Sequence, residues 1–277
     1  MNKILVRVLT GAVFGIVLLG AILYGHTSFA ALFTIVTMLA VNEFSNLIHE
    51  YKKTSFSTLL AVIGGGYLFF ALYAVSHLGM TNYTALFLPY ILLMVYVFVR
   101  RLYSTEGSSL DNYAYFVLTQ VYAALPFALL NILSTVGANG STYSFMLPLA
   151  IFVFIWCNDS GAFFVGCSIG KHKMWERVSP KKTWEGTIGG VVVAMIAGYV
   201  MSIFYAQLNM WQWMGLAAVV ATTATYGDLI ESCMKREMGI KDSGNILPGH
   251  GGMLDRFDST LLAVPSALIY LSLIGVL

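Results

Sequence analysis

The sequence predicts an all-α, polytopic membrane protein of about nine transmembrane helices with a cytoplasmic N-terminus. Three observations carry that reading. Apolar runs of about twenty residues recur along all 277 residues, and the chain is 58% hydrophobic and only 10% charged. Alternating ten-residue strands of a membrane barrel are not seen, and a bilayer core cannot satisfy bare backbone, so such runs must be helices. Finally, the Lys and Arg residues obey a strict alternation between connections.

The runs lie near 8–24, 28–48, 56–78, 83–99, 113–134, 143–165, 187–206, 211–230 and 260–277. The first has a basic end and an apolar core like a signal peptide, but no small-residue cleavage site, and is read as a retained helix. Pro89, Pro126, Pro148 and Pro265 fall inside runs and are expected to kink them. Gly186, Gly190, Ala194 and Gly198 recur every four residues, a stripe suited to close packing within the bundle or across a homodimer. The whole chain, 1–277, reads as one membrane domain.

With the N-terminus inside, one face receives the N-terminus and the connections near 49–55, 100–112, 166–186 and 231–259. Every Lys and Arg lies there, and the opposite connections hold none, which is the positive-inside pattern. Glu43, Asp159 and Asp228 sit at or just inside span ends on the same face, although orientation alone does not require it. Cys157, Cys167 and Cys233 are odd in number and lack CxxC spacing, so neither a disulfide framework nor a zinc site is expected. No basic, aromatic-interleaved face points to nucleic acid.

Three polar clusters remain. In WCNDSGAFFVG, Asn158 and Asp159 interrupt an apolar span near its cytoplasmic end, where a charge needs a partner or a wet cavity. In GKHKMWERVSPKKTWEG, Ser179 and Pro180 precede Lys181 and Lys182, a turn that presents paired ammonium groups to a phosphate of a lipid or a nucleotide. The third cluster runs from Asp228 through KDSGNILPGHGGMLDRFD. If a helix begins at Leu254, Asp255 and Asp258 project from one side of its first turn and call for a hard cation such as Mg²⁺. Gly249, Gly251 and Gly252 around His250 could turn their amides on an anion, and His250 is assigned to binding. Asp228 and Lys235, seven apart, share a helical face if their helix continues that far. Taken alone, carboxylates inside spans also suit a transporter or channel, whose polar groups would sit at mid-membrane depth.

The stretch SCMKREMGIKDSGNILPGHGGMLDRFD, residues 232–258, resembles the signature of the phosphatidate cytidylyltransferase (CDP-diacylglycerol synthase) family. SPKKTWEG and NDSGAFFVG are similar to that family's upstream elements, in the same order. The likeness covers the C-terminal half, and residues 1–140 match only as hydrophobic spans. It implies transfer of the cytidylyl group of CTP to phosphatidic acid, giving CDP-diacylglycerol and pyrophosphate, at the cytoplasmic side of a bacterial-type inner membrane. It implies Mg²⁺, and allows a second, monovalent cation such as K⁺. By the resemblance Asp228 and Asp255 are metal ligands, and Lys235 with Asp258 is a charged pair near the reacting phosphates. Residues 141–277 then hold the catalytic spans and loops, with Arg236, Lys241 and Arg256 among the phosphate-binding cations. A CTP-using relative acting on another lipid phosphate or alcohol is the neighbouring reading.

Overall fold

The structure, a computed structural model, describes residues 3–103, 110–136, 143–247, 249 and 251–277. Each predicted apolar run falls on a helix. In chain order these are α1 (Lys3–Tyr24), α2 (His26–Lys52), α3 (Thr58–His77), α4 (Tyr83–Leu102), α5 (Asp111–Thr119), α6 (Leu125–Leu133), α7 (Met146–Ile169), α8 (Trp184–Phe204), α9 (Met210–Glu237) and α10 (Leu254–Leu273). Between α7 and α8 two short strands, β1 (Lys173–Trp175) and β2 (Ser179–Thr183), form an antiparallel hairpin that the sequence reading did not anticipate.

Among the described residues, six segments are long and apolar enough to cross a bilayer: α2, α3, α4, the continuous rod Asp111–Leu133, α7 and α8. The chain is therefore an integral membrane protein. The described apolar part of α1, Val8–Tyr24, is shorter. In α9 and α10 the acidic and basic residues that make the chemistry interesting, such as Asp228, Glu231, Lys235, Asp255 and Asp258, dilute the hydropathy.

The described residues divide into two compact units. The first holds α1 to α6 and the stretch Asp242–Arg256. Its core is aromatic, with Phe29, Phe33, Phe44, Phe69, Phe116 and Phe127 fully buried. The rod Asp111–Leu133 is not a plain α-helix, because Gln120–Ala124 is wound as a π turn in which Leu125 N–H donates to the Gln120 carbonyl. Pro126 explains the irregularity: it has no N–H to offer the carbonyl four residues back. Gln120, freed to face inward, donates through Nε2 to the Ala61 carbonyl at 2.9 Å.

The second unit holds Ser144–Lys241 and Phe257–Leu277. Here the small-residue stripe of α8 is buried, at Gly186, Gly190, Ala194 and Gly198. A Cβ at Gly190 would lie 2.6 Å from the Asn158 carbonyl of α7, and one at Gly198 2.8 Å from the Trp213 carbonyl of α9. The stripe thus brings α8 against two neighbours of its own unit. The starts of α8 and α9 carry side-chain caps. Asn209 and Gln212 form a reciprocal capping box on α9, and the Thr183 hydroxyl accepts from Gly186 N on α8.

Because a methyl at Gly190 would meet the Asn158 carbonyl and the Oδ1 of the buried Asn158 side chain, both at 2.6 Å, Gly190→Ala is expected to lower stability in detergent by about 1–3 kcal/mol. Gly20→Ala, whose methyl would meet nothing within 4 Å, should not lower it. Thermal unfolding followed by intrinsic fluorescence checks the pair.

Candidate active site

In the second unit a cavity of about 200 Å³ is lined by Asn158, Asp159, Lys181, Lys182, Thr183 and Thr225, among others. Local chemistry explains why these side chains meet. Thr183 ends β2 and caps α8, while Glu185 in the first turn of α8 accepts from the amides of Lys171 and His172 at 3.2 Å. Trp184 N also donates to the His172 carbonyl. The hairpin is thereby tied at its base to the start of α8, and Lys181 and Lys182, just before the cap, are delivered to the cavity wall.

Lys182 Nζ lies 2.7 Å from Asp228 Oδ2 and donates to the Thr225 carbonyl at 3.3 Å. Asn158, almost fully buried, donates through Nδ2 to Thr225 Oγ1 at 3.1 Å, and the Thr225 hydroxyl donates to the Ala221 carbonyl. Asp159 stands within electrostatic reach of both Lys182 and Asp228. The three sequence clusters therefore contribute to one chain of contacts through Asn158, Thr225, Lys182 and Asp228.

Helix α9 continues to Glu237, so Asp228, Ser232 and Lys235 do share a face. Ser232 Oγ donates to Asp228 Oδ1 at 3.2 Å. Lys235 Nζ lies 3.2 Å from Oε1 of Glu231, a buried carboxylate one turn earlier. Asp258, half-buried in the first turn of α10, feels the charges of Asp228, Lys235 and Asp159. Asp159, Asp228 and Asp258, from α7, α9 and α10, are thus within electrostatic reach of one another, Asp159 also of Lys182 and Asp258 of Lys235.

In the first unit, Asp255 is buried and its orientation is fixed by backbone amides. Ser243 N donates to both of its oxygens, at 3.1 and 2.8 Å, and Gly252 N donates to Oδ2 at 2.8 Å. Gly251 has φ +87, and a Cβ there would lie 2.6 Å from Asp255 Oδ2. The amide of Gly252 in this turn is aimed at the chain's own carboxylate. Glu43, on α2, accepts from Met253 N at 2.9 Å and from Leu254 N at 2.8 Å.

The remaining predicted site residues lie apart from these contacts. Ser179 pairs with Trp175 in the hairpin and is not part of the cavity lining. Arg236 is exposed and donates to the Ile240 carbonyl, closing the end of α9, while Lys241 and Arg256 are exposed. His250 lies outside the described residues. Among the participants not predicted are Thr225, Glu231 and Glu43. The first two carry a readable signal, since they stand three residues on either side of Asp228 and so share its flank of the helix. Glu43 carried only its place near a span end.

Among the described residues, no three His, Cys, Asp or Glu side chains converge as a closed metal cage. One or two carboxylates with open positions is the arrangement in which Mg²⁺ usually meets phosphates, and the excess carboxylate charge around Asp228 fits such a cation.

Residues 5–274 match the model of a family described as the cytidylyltransferase family. The chain is 34% identical over 280 residues to a phosphatidate cytidylyltransferase of Bacillus subtilis, covering 96% of this chain and 97% of that one. It is 30% identical over 261 residues to a phosphatidate cytidylyltransferase of Staphylococcus aureus, covering 94% and 96%. A protein of the same name from Staphylococcus epidermidis is 44% identical over 118 residues, 42% of this chain and 45% of that one.

Lys182→Met removes the ammonium while keeping most of the stem. Because the ion pair with Asp228 is partly exposed, the expected stability loss is about 1 kcal/mol or less. Binding of labelled CTP should weaken by about tenfold or more, the loss of one charge-assisted contact. Filtration binding alongside thermal unfolding measures both.

Proposed function

The chain belongs to the cytidylyltransferase family, and from that premise we infer that it transfers the cytidylyl group of CTP to phosphatidic acid, giving CDP-diacylglycerol and pyrophosphate. The observation that carries this reading is the Lys182–Asp228 pair at the wall of a cavity lined by Asn158, Asp159 and Lys181. It sets cations for phosphates beside acids for a metal.

In the proposed reaction an oxygen of the phosphatidate phosphate attacks the α-phosphorus of CTP. The new P–O bond forms as the bond to the β-phosphate breaks, and pyrophosphate leaves. Phosphatidate is already anionic at neutral pH, so no strong general base is required. The demand is to hold two anions together in line, by positioning and charge neutralisation. Lys181 and Lys182 hold phosphate oxygens. An arriving phosphate competes with Asp228 for the ammonium of Lys182, which loosens that carboxylate for a cation. Lys235, kept in place by Glu231, and Asp258 lie on the α9 and α10 sides of the same cluster.

Mg²⁺, when bound, neutralises phosphate oxygens and polarises phosphorus toward attack. Asp228 is proposed as an oxygen ligand for it. Asp255 is proposed as one as well, because its amide contacts give the fixed orientation that metal-ligating carboxylates need. A monovalent cation such as K⁺ is a proposed companion. The reaction is proposed to lie at the cytoplasmic side of a bacterial inner membrane, a reading the basic connections support, where CTP meets a lipid drawn from the bilayer.

Asp228→Asn and Asp255→Asn are each expected to lower turnover by at least about 100-fold while the proteins still insert and purify. The assay follows label from cytidine-labelled CTP into the organic phase with phosphatidic acid and Mg²⁺. EDTA should abolish transfer and added Mg²⁺ restore it, and near-normal transfer by either variant would remove that residue from the metal role.

A further inference from the structure

We propose that Glu43 is a positioning residue for this reaction: from α2 it sets the start of α10 and thereby the direction in which Asp255 points. The inference rests on the reading of Asp255 as a metal ligand.

The first amides of a helix have no partner within it, and a Ser, Thr, Asp or Asn just ahead usually accepts one. At α10 the residue ahead is Met253, which cannot. The acceptor comes instead from a residue 210 positions away. Oε1 of Glu43 accepts from Met253 N and Oε2 from Leu254 N, with the side chain buried and only 5% of the residue exposed. A negative charge at this end also suits the helix dipole.

The surrounding turn is shaped to this carboxylate. A Cβ at Gly244 would lie 2.6 Å from Oε1, and one at Gly252 2.6 Å from Oε2. These glycines leave room for a side chain rather than for a ligand. Three consecutive amides, of Gly252, Met253 and Leu254, are then shared between two carboxylates: the first goes to Asp255 and the other two to Glu43.

That division is what orients Asp255. The two carboxylates are close enough to act on one another electrostatically. Each is stabilised where it stands by its own amides. Without Glu43, the amides of Met253 and Leu254 lose their acceptor, and the nearest acid able to replace it is Asp255, which would then turn back onto its own helix. The N-terminal half, expected from the sequence to match the family only as apolar spans but covered by the family match over residues 5–274, supplies a residue the reaction depends on.

Glu43→Gln tests this, since it keeps size and one acceptor but sets an NH₂ group against an amide donor. Ser45→Ala is the control: it lies buried on the same helix and gives up only a bond to the Val41 carbonyl. Hydrogen exchange of residues 251–256 is measured across an Mg²⁺ titration, with kcat and KM for CTP taken in parallel. For Glu43→Gln the Mg²⁺ concentration giving half-maximal protection should rise about tenfold or more. Its kcat should fall at low Mg²⁺ and recover at high Mg²⁺, with KM for CTP at saturating Mg²⁺ unchanged, while Ser45→Ala behaves as wild type. A Glu43→Gln protein that loses stability but keeps the wild-type Mg²⁺ midpoint has lost only a structural bond, and overturns the proposal. If wild type shows no Mg²⁺-linked protection at 251–256, the ligand reading of Asp255 falls first and this inference falls with it.

Discussion

The bilayer core offers a buried polar group neither water nor counter-charge. In this chain hydroxyls inside helices turn back on carbonyls four residues earlier, as Thr37 does on Phe33, Ser45 on Val41 and Thr225 on Ala221. Side-chain amides reach across instead, Gln120 to Ala61 and Asn158 to Thr225. Carboxylates have no proton to give in their charged form and must be met by donors. Their positions therefore follow from where donors can be supplied: at a helix start with its orphan amides, or beside a lysine at a span end.

The same constraint explains what could be read from the sequence. Spans were legible because an apolar run of bilayer length has only one stable backbone solution, and the helices fall on the predicted runs. The face shared by Asp228 and Lys235 was legible because helical spacing is fixed once the helix is known to continue. The hairpin was not: KMW and SPKKT are short, charged and broken by a proline, with no apolar alternation to announce strands. Its signal was local, in the cap at Thr183 and the acid at Glu185 that bind its base.

Glu43 was illegible for a different reason. Its partners are backbone amides, which carry no sequence identity, and they lie 210 residues away. The glycines that accommodate it were visible, but Gly244 and Gly252 mark only that something comes close, and a side chain of the same protein leaves the same mark as a phosphate. Glu231 sits between these cases. Its spacing from Lys235 makes an i,i+4 pair, but its burial depends on how α9 is packed, which spacing does not give.

Four carboxylates, two in each unit, fall into two kinds according to their donors. Glu43 and Asp255 are held by backbone amides, which cannot leave without unwinding the turn that carries them. Asp228 and Glu231 are held by the ammonium groups of Lys182 and Lys235, which sit on flexible stems and can change partners. In the proposed reaction, fixed acids keep their orientation when highly charged substrates arrive and leave. Exchangeable pairs keep the lysines compensated near a low-dielectric core, where an isolated charge would be costly, and in the proposed reaction they yield them to a phosphate with little net change in charge. Replacing Lys182 by an arginine would test the distinction in kind: a planar fork matched to a carboxylate holds Asp228 more firmly than an ammonium does, so pairing would strengthen at the expense of release.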